Sequence, residues 1–194
     1  MYGQYNEDDF IFDFFGNKKD GKYLDIGAGG WKTISNTYLL YEQGWSGIAI
    51  DPFERQKKGW AENRPRDKFL DIAISDYDGK AKMSNTMMDS GDYFQEYIER
   101  KIPVYETECL KFSTLCERYP EIFDTEFFSL DVETTEDKVL STVDFTKFKP
   151  RLICIEDQVR RIDNTHRWIK YLQPYYKLNT TMGGNSFYER LGEL

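Results

Sequence analysis

The sequence predicts one α/β domain, with a doubly wound, mostly parallel seven-stranded sheet that ends in a C-terminal antiparallel hairpin. Three observations favour this fold class. Segments of strand and helix character alternate along the chain, as in parallel sheets with helices on both faces. A glycine-rich turn follows the first strand. The 194 residues suffice for one sizeable core, so we expect residues 1–194 to form a single domain, with residues 1–20 as an N-terminal cover segment.

The first half of the chain predicts a βαβ unit followed by a small hairpin. Apolar runs mark the strands, and apolar residues at helical spacing before Gly44 mark the first helix. Pro52 suits the first position of the second helix, and Asp78 with Gly79 predicts the hairpin turn. The predicted elements are strand 23–26, helix 33–43, strand 47–51, helix 52–63, strand 69–74 and strand 80–83.

In the second half of the chain, predicted strands and helices again alternate after a polar segment. Residues 84–101 are polar with scattered methionines and aromatics, and we expect them to carry one helix and to be a candidate lid. Gly183 and Gly184 separate the last two strands, which predicts the closing hairpin. The predicted elements are strand 104–110, helix 112–119, strand 126–132, a helix to about residue 141, strand 151–155, a helix containing Trp168 and Leu172, and hairpin strands 175–182 and 186–191.

Composition disfavours several classes of function. The net charge of -8, from 26 basic and 34 acidic residues, argues against a surface that tracks nucleic-acid phosphates. The chain has neither a long apolar run nor a basic start followed by one, so we expect no membrane span, no export and a cytoplasmic location. The cysteines Cys109, Cys116 and Cys154 lack Cys-x-x-Cys spacing, so we expect buried, reduced thiols.

The sharpest local feature is a glycine turn directly after the first predicted strand. Asp25 stands near the end of that strand, and Gly27, Ala28 and Gly29 follow it. Glycines allow the backbone to approach a ligand at the carboxyl end of a strand, where doubly wound sheets bind nucleotide-like cofactors. Lys32 stands where a dinucleotide fingerprint requires glycine, so a pyrophosphate ligand is disfavoured. A tight turn without a ligand is the alternative.

Two more acids belong to the next two predicted strands, Asp51 at the end of the second strand and Asp71 in the third. Asp51 can accept hydrogen bonds from both hydroxyls of a ribose, but its position before Pro52 also suits a helix N-cap, and both roles can coexist. Asp71, with Ile72 beside it, is a candidate acceptor for an adenine amino group. A surface carboxylate is the alternative for Asp71.

Four carboxylates follow two buried strands in the second half of the chain. Asp131 and Glu133 end one strand, and Glu156 and Asp157 end the next. Because parallel strands place their carboxyl ends at one edge of the sheet, we expect these groups to converge. Such carboxylates can act as a general base or hold a hard cation; capping of the following helices is the alternative.

Several runs of sequence together carry a specific resemblance. They are Gln4 with Glu7 and Asp8 ahead of Phe10 and Ile11, residues 23–28, residues 35–37, residues 44–47, residues 73–75, residues 128–133 and residues 152–156. In these runs the chain resembles the FkbM-type methyltransferase family. The resemblance implies a class I methyltransferase fold, which is Rossmann-like, with S-adenosylmethionine as methyl donor and usually O-methylation of sugars or natural products. The predicted cofactor-binding residues are Gln4, Asp25, Gly27, Ala28, Gly29, Asp51, Asp71 and Ile72.

The resemblance gives the acidic residues two alternative mechanisms. In the first, Glu133 is the general base that takes the acceptor proton while the acceptor oxygen attacks the cofactor methyl, with Asp131 as a second catalytic residue. In the second, Asp131, Glu156 and Asp157 bind Mg²⁺, which lowers the pKa of the acceptor hydroxyl, an arrangement similar to that of metal-dependent sugar O-methyltransferases. A small molecule or a glycan is the expected acceptor.

Two other functions remain open. Thr134 and Thr135 stand where the family usually has a glycine-containing segment, so a cofactor-binding protein without turnover is one alternative. A nucleotide-dependent oxidoreductase is the other, disfavoured by Lys32. The lone His166 is expected at a surface or helix cap. Tyr5, Trp31 and Trp168 are candidate pocket aromatics, although most aromatics in such a chain are core residues.

Overall fold

The fold is taken from a computed structural model that describes residues 2–16, 18–84, 104–133, 135–157 and 167–192. The helices are α1 (Glu7–Phe14), α2 (Tyr38–Glu42), α3 (Glu54–Asn63), α4 (Phe112–Arg118), α5 (Glu136–Leu140) and α6 (Ile169–Leu172), with a 3-10 turn at Pro120–Asp124. The strands are β1 (Lys22–Ile26), β2 (Ser46–Ile50), β3 (Lys68–Leu70), β4 (Ala73–Ser75), β5 (Gly79–Ser84), β6 (Val104–Lys111), β7 (Phe127–Leu130), β8 (Leu152–Glu156), β9 (Tyr176–Met182) and β10 (Asn185–Arg190).

The main sheet has seven strands in the order β3-β2-β1-β7-β8-β10-β9. Neighbours from β3 to β8 are parallel, whereas β10 is antiparallel to both β8 and β9. The predicted fold class is therefore confirmed. The chain builds outward from β1 to β3 and then returns to β7 on the other side of β1, so the strand order reverses between β1 and β7. Ligands bind at such a reversal in open α/β sheets.

The central strands are buried on both faces, which explains their nearly continuous apolar sequences. In β7, Phe128 and Leu130 pack into one core cluster, and Phe127 packs into the cluster on the opposite face. The second cluster also holds Ile11 and Phe15 from α1 and the adjoining turn. The N-terminal helix therefore covers one face of the sheet. The three cysteines are buried free thiols, as predicted.

The first two predicted helices begin later than their apolar spacing suggests. Helix α2 starts at Tyr38 rather than residue 33. Ile34 has a φ of 56°, in the left-handed region, and a helix cannot run through such a residue. Helix α3 starts at Glu54, with Phe53 as its N-cap, so Pro52 is not its first residue. Gly44, with a φ of 101°, does terminate α2 as predicted.

The single predicted strand 69–74 is two strands in different sheets. Strand β3 belongs to the main sheet, and β4 belongs to a three-stranded sheet in the order β4-β6-β5. The segment that connects β3 to β4 is stabilised in part by the Thr107 hydroxyl, which donates to the Asp71 carbonyl over 3.0 Å. Strand β5 pairs antiparallel with β6 and not with β4, so the predicted hairpin partner of β5 was wrong.

Some predictions concern residues that lie outside the described ranges. The candidate lid at 84–101 lies, apart from Ser84, outside the described residues, as do Thr134 and His166. Within the described ranges, the helices are all too short or too polar to span a bilayer.

Candidate functional site

A cavity of about 760 Å³ lies at the edge of the main sheet where β1, β2, β7 and β8 end. Its walls come from the N-terminal segment, the turns after these strands, the small sheet and the turn between β9 and β10. The volume is within the range of sites that bind small molecules and cofactors. The cavity-lining residues among the predicted cofactor set are Gln4, Gly27, Ala28, Gly29, Asp51 and Ile72.

The glycine turn forms the floor of the cavity. Gly27 has a φ of 83°, and a Cβ at this position would collide with the carbonyl oxygen of Asp131. The Gly27 and Ala28 amides donate to the Ile50 carbonyl over 2.8 and 3.0 Å, which fastens the turn over the end of β2. Only glycine combines this dihedral angle with this close approach.

Asp51 joins two backbone segments at the end of β2. Its Oδ2 accepts from the Gly29 amide over 2.8 Å, and its Oδ1 accepts from the Phe53 amide over 3.0 Å. The alternative role predicted from the sequence, Asp51 as the N-cap of α3, is therefore wrong, because the N-cap is Phe53. Burial raises the pKa of this carboxyl. Because each carboxylate oxygen has two lone pairs, Asp51 retains acceptor capacity toward the cavity that it lines.

Asp25 does not line the cavity but lies beneath the glycine turn. It is buried and accepts a hydrogen bond from the Thr37 hydroxyl over 2.8 Å. Burial raises its pKa to about 6. Thr37 also accepts from the buried guanidinium of Arg64, whose Nε pairs with Asp67 over 2.6 Å. This buried network fixes the loop between the glycine turn and α2.

The third predicted acid is turned away from the cavity. Asp71 pairs with Lys57 over 3.1 Å, and its side chain is 34% exposed. Ile72, the next residue, does line the cavity. An apolar wall continues from it along the small sheet. The wall is formed by Ile72, Ile74, Ala81 and Met83, with Phe53 after β2.

Three carboxylates meet where β7 and β8 end. One oxygen from each of Asp131, Glu136 and Glu156 lies within 4.8 Å of the others. Glu136 was not among the predicted site residues; it is the first residue of α5, and its Oε1 accepts from the Val132 amide over 3.1 Å. Asp157 does not join this group, because its Oδ2 accepts from the Ser186 hydroxyl over 2.9 Å.

Asp131 and Glu156 form a closely spaced acid pair. Burial and then the Asp131 charge raise the pKa of Glu156 to about 10, and burial also raises the pKa of Asp131. A buried carboxyl and a half-buried one at this distance cannot both ionise without a large cost. The raised pKa values therefore favour a pair that retains one proton, with a hydrogen bond between Glu156 and Asp131.

Glu133 lies at the cavity edge in an unusual conformation. Its side chain is exposed and lines the cavity, and its φ is 54°. A non-glycine residue in the left-handed region costs roughly 1–3 kcal/mol, and such residues cluster at functional sites. The position of Glu133 allows access to both the cavity and solvent.

The N-terminal segment supplies a side chain that the prediction missed. Glu7 is 0% exposed and is one of the residues that line the cavity. Its Oε2 accepts from the Tyr5 amide over 2.6 Å, and its Oε1 accepts from Asn185 Nδ2 over 3.0 Å. Asn185 also lines the cavity. The only sequence signal was the acidic pair Glu7 and Asp8 among the resembling runs.

The candidate aromatics lie elsewhere. Tyr5 is 52% exposed and packs on Gly183, Trp31 packs on Gly59, and Trp168 is in the core. None of the three lines the cavity, whose aromatic lining residues are Phe53 and Tyr77 instead.

Comparison with known proteins identifies the architecture. No family model and no curated protein matches this chain. Among solved structures, the FkbM methyltransferase of Methylobacillus flagellatus superposes with a TM-score of 0.55 at 11% identity, over 88% of this chain and 43% of that protein. A methyltransferase from Geobacter sulfurreducens gives 0.54 at 7% identity, over 97% and 80%. A TehB-like SAM-dependent methyltransferase from Corynebacterium glutamicum gives 0.52 at 10%, over 97% and 89%. The chain thus has the fold of these methyltransferases, and it spans less than half the length of the FkbM protein.

Proposed function

We propose that this chain is an S-adenosylmethionine-dependent methyltransferase of the FkbM type that methylates a hydroxyl group of a sugar or another small hydroxylated metabolite. One observation carries the proposal. The glycine turn, Asp51 and the paired acids Asp131 and Glu156 line one cavity at the strand-order reversal of a methyltransferase fold. Fold alone does not determine function, so the argument depends on these side chains.

The cofactor has a natural orientation in the cavity. Asp51 at the end of β2 would accept from its ribose hydroxyls, and the apolar wall that begins at Ile72 would pack against its adenine. Gly27 and Asp131, which meet at the end of β7, would border the part of the cavity that takes its sulfonium methyl. This arrangement leaves the remaining cavity, toward Glu133, for the acceptor.

Methyl transfer then requires one proton acceptor. Bound S-adenosylmethionine would supply an electrophilic methyl group: the acceptor oxygen would attack its carbon as the carbon–sulfur bond breaks, and the electron pair of that bond would remain on sulfur as a neutral thioether. The acceptor proton passes to Glu133, which borders both cavity and solvent and can release it to water. Asp131, hydrogen-bonded to protonated Glu156, keeps an acceptor site for the same hydroxyl and orients it.

A metal-assisted mechanism is the second candidate, and the acidic cluster favours it. Asp131, Glu136 and Glu156 bring three carboxylates within 4.8 Å, a donor set suited to Mg²⁺. These residues would hold the ion, and Glu136 would replace Asp157 in the predicted ligand set. The ion would supply a positive charge that lowers the pKa of a bound hydroxyl.

The proposal is tested by methyl transfer from labelled S-adenosylmethionine to a panel of hydroxylated sugars. We expect turnover with at least one acceptor, and a loss of about 100-fold or more in Glu133→Gln, because the amide keeps the shape but cannot take the proton. Cofactor affinity is expected to remain near wild type.

Asp131→Asn and a chelator separate the two mechanisms. If Glu133 is the base, Glu133→Gln is the more damaging change and a chelator has little effect. If a metal is required, the order reverses and added Mg²⁺ restores the chelated protein. Cofactor binding without transfer to any acceptor would favour a binding protein without turnover. Wild-type rates in both variants would contradict the placement of the reaction at these strand ends.

A further inference from the structure

Glu7 is a fully buried acidic residue of the cavity lining that the proposed mechanism does not use. It is 0% exposed and accepts two hydrogen bonds from neutral donors, the Tyr5 amide and Asn185 Nδ2. Among the lysines and arginines that the structure describes, none forms an ion pair with it. Burying a carboxylate without an opposite charge is costly. A cationic group in the cavity would remove that cost.

The position of Glu7 places it far from the predicted ribose site. Its partner Asn185 lies opposite Glu156 in the register of β10 with β8. Asp51 follows β2, and in the strand order β2-β1-β7-β8-β10 four strand spacings, about 19 Å, separate the end of β2 from Asn185 in β10. A cofactor whose ribose contacts Asp51 and whose adenine extends toward Ile72 must direct its amino-acid end toward β7 and β8.

We infer that Glu7 binds the α-ammonium group of the cofactor's methionine moiety, an inference that rests on the proposed function. The amino-acid end carries the cation that the buried carboxylate lacks. Asn185 has a positioning role: because a carboxylate only accepts, Asn185 must direct its Nδ2 at Glu7, which holds the carboxylate in place beside the cavity.

Truncated ligands isolate this contact. S-adenosylhomocysteine carries the amino-acid end, whereas 5′-methylthioadenosine has the same adenosyl thioether without it. We expect Glu7→Gln to weaken S-adenosylhomocysteine binding by about 10- to 100-fold, the scale of a lost hydrogen bond between charged groups. Binding of 5′-methylthioadenosine is expected to change less than about 2-fold. Isothermal titration calorimetry measures both.

Asp8→Asn is the matched control. Asp8 is the next residue of the same helix, is equally buried, and does not line the cavity. We expect it to leave the affinities for both ligands unchanged. The double variant Glu7→Gln/Asn185→Asp exchanges amide and carboxylate across a 3.0 Å hydrogen bond, and we expect it to recover much of the S-adenosylhomocysteine affinity.

The outcomes separate this inference from the proposed function. If wild type binds S-adenosylhomocysteine and Glu7→Gln weakens both ligands equally, or neither, then Glu7 does not contact the amino-acid end and the inference is overturned. Equal losses in Glu7→Gln and Asp8→Asn, with no recovery in the double variant, would indicate a merely structural role and also overturn it. Failure of wild type to bind either ligand would instead contradict the proposed function.

Discussion

Asp51 combines a structural contact with a predicted binding contact at one residue. Its two oxygens hold the Gly29 and Phe53 amides, and the proposed ribose contact would use the remaining lone pairs. We expect Asp51→Ala to weaken S-adenosylhomocysteine binding by about 1–3 kcal/mol, the scale of hydrogen bonds to a charged group. Calorimetry together with thermal unfolding measures this. A lower melting temperature with unchanged affinity would leave Asp51 with its backbone contacts alone.

A substitution of Asp71 can be compared with Asp51→Ala in the same calorimetric titration. The sequence predicted an adenine contact, whereas the structure places its carboxylate beside Lys57. We expect Asp71→Asn to change the affinity by less than about 0.5 kcal/mol, as for most surface substitutions. A loss as large as that of Asp51→Ala would return Asp71 to the adenine site.

Glu156 links the acid pair to the pH dependence of stability. Its pKa is about 10 in the folded state against an ordinary 4.5, so between these values the folded protein binds the extra proton. The stabilisation is therefore complete below about pH 4.5 and is lost as the pH rises toward 10. In Glu156→Gln, a neutral amide donates to Asp131 without titrating.

We therefore expect the melting temperature of wild type to fall relative to Glu156→Gln between about pH 6 and about pH 9, by about 3 °C or more. Differential scanning calorimetry at several pH values measures the difference, with the surface change Glu62→Gln as control. Parallel curves for wild type and Glu156→Gln would mean that the pair does not hold a proton in this range.

At the scale of single elements, the glycine turn depends on one close approach. A Cβ at Gly27 would meet the Asp131 carbonyl oxygen, and the φ of 83° is unfavourable for alanine. We expect Gly27→Ala to lower the free energy of unfolding by about 2–4 kcal/mol. Gly30→Ala is the control, because the nearest atom to its added Cβ is 4.0 Å away. Urea unfolding curves measure both, and equal effects would contradict this account of the turn.

The elements that could be predicted are those whose cause is local. Strands β7 and β8 are apolar because both faces are buried, and the β9–β10 hairpin is marked by its glycines. The start of α2 was missed because the left-handed Ile34 fits the apolar spacing of a helix. The division of strand 69–74 was missed because it depends on pairing of β4 with β6, which comes more than thirty residues later in the chain.

The residues of the candidate site also divide into those that local sequence located and those that depend on tertiary contacts. The glycine turn directly follows one predicted strand and Asp51 ends the next, so the local sequence pattern located them at the cavity. Glu7 and Asn185 come from opposite ends of the chain, and their contact arises only when α1 packs beside β10. Glu136, at the start of α5, lies with Asp131 and Glu156 in the acidic cluster. The sequence had predicted Asp157 as the third metal ligand, but Asp157 accepts a hydrogen bond from Ser186 instead. Distances between such groups depend on tertiary structure.

At the scale of the whole molecule, two sheets build one cavity. The main sheet supplies the polar edge with the glycine turn and the acids, and the small sheet supplies the apolar wall. This division suits a ligand with a charged end and an aromatic end, which is the chemistry of S-adenosylmethionine. A nicotinamide dinucleotide would also require a pyrophosphate contact at the turn, where Lys32 replaces the usual glycine.

The most direct test is calorimetric titration of the wild-type protein with S-adenosylmethionine and S-adenosylhomocysteine, with NAD⁺ in parallel. We expect one-to-one binding of the adenosyl ligands with a Kd below about 1 mM, and no binding of NAD⁺. Binding of NAD⁺ without binding of either adenosyl ligand would contradict the assignment of this cavity to S-adenosylmethionine.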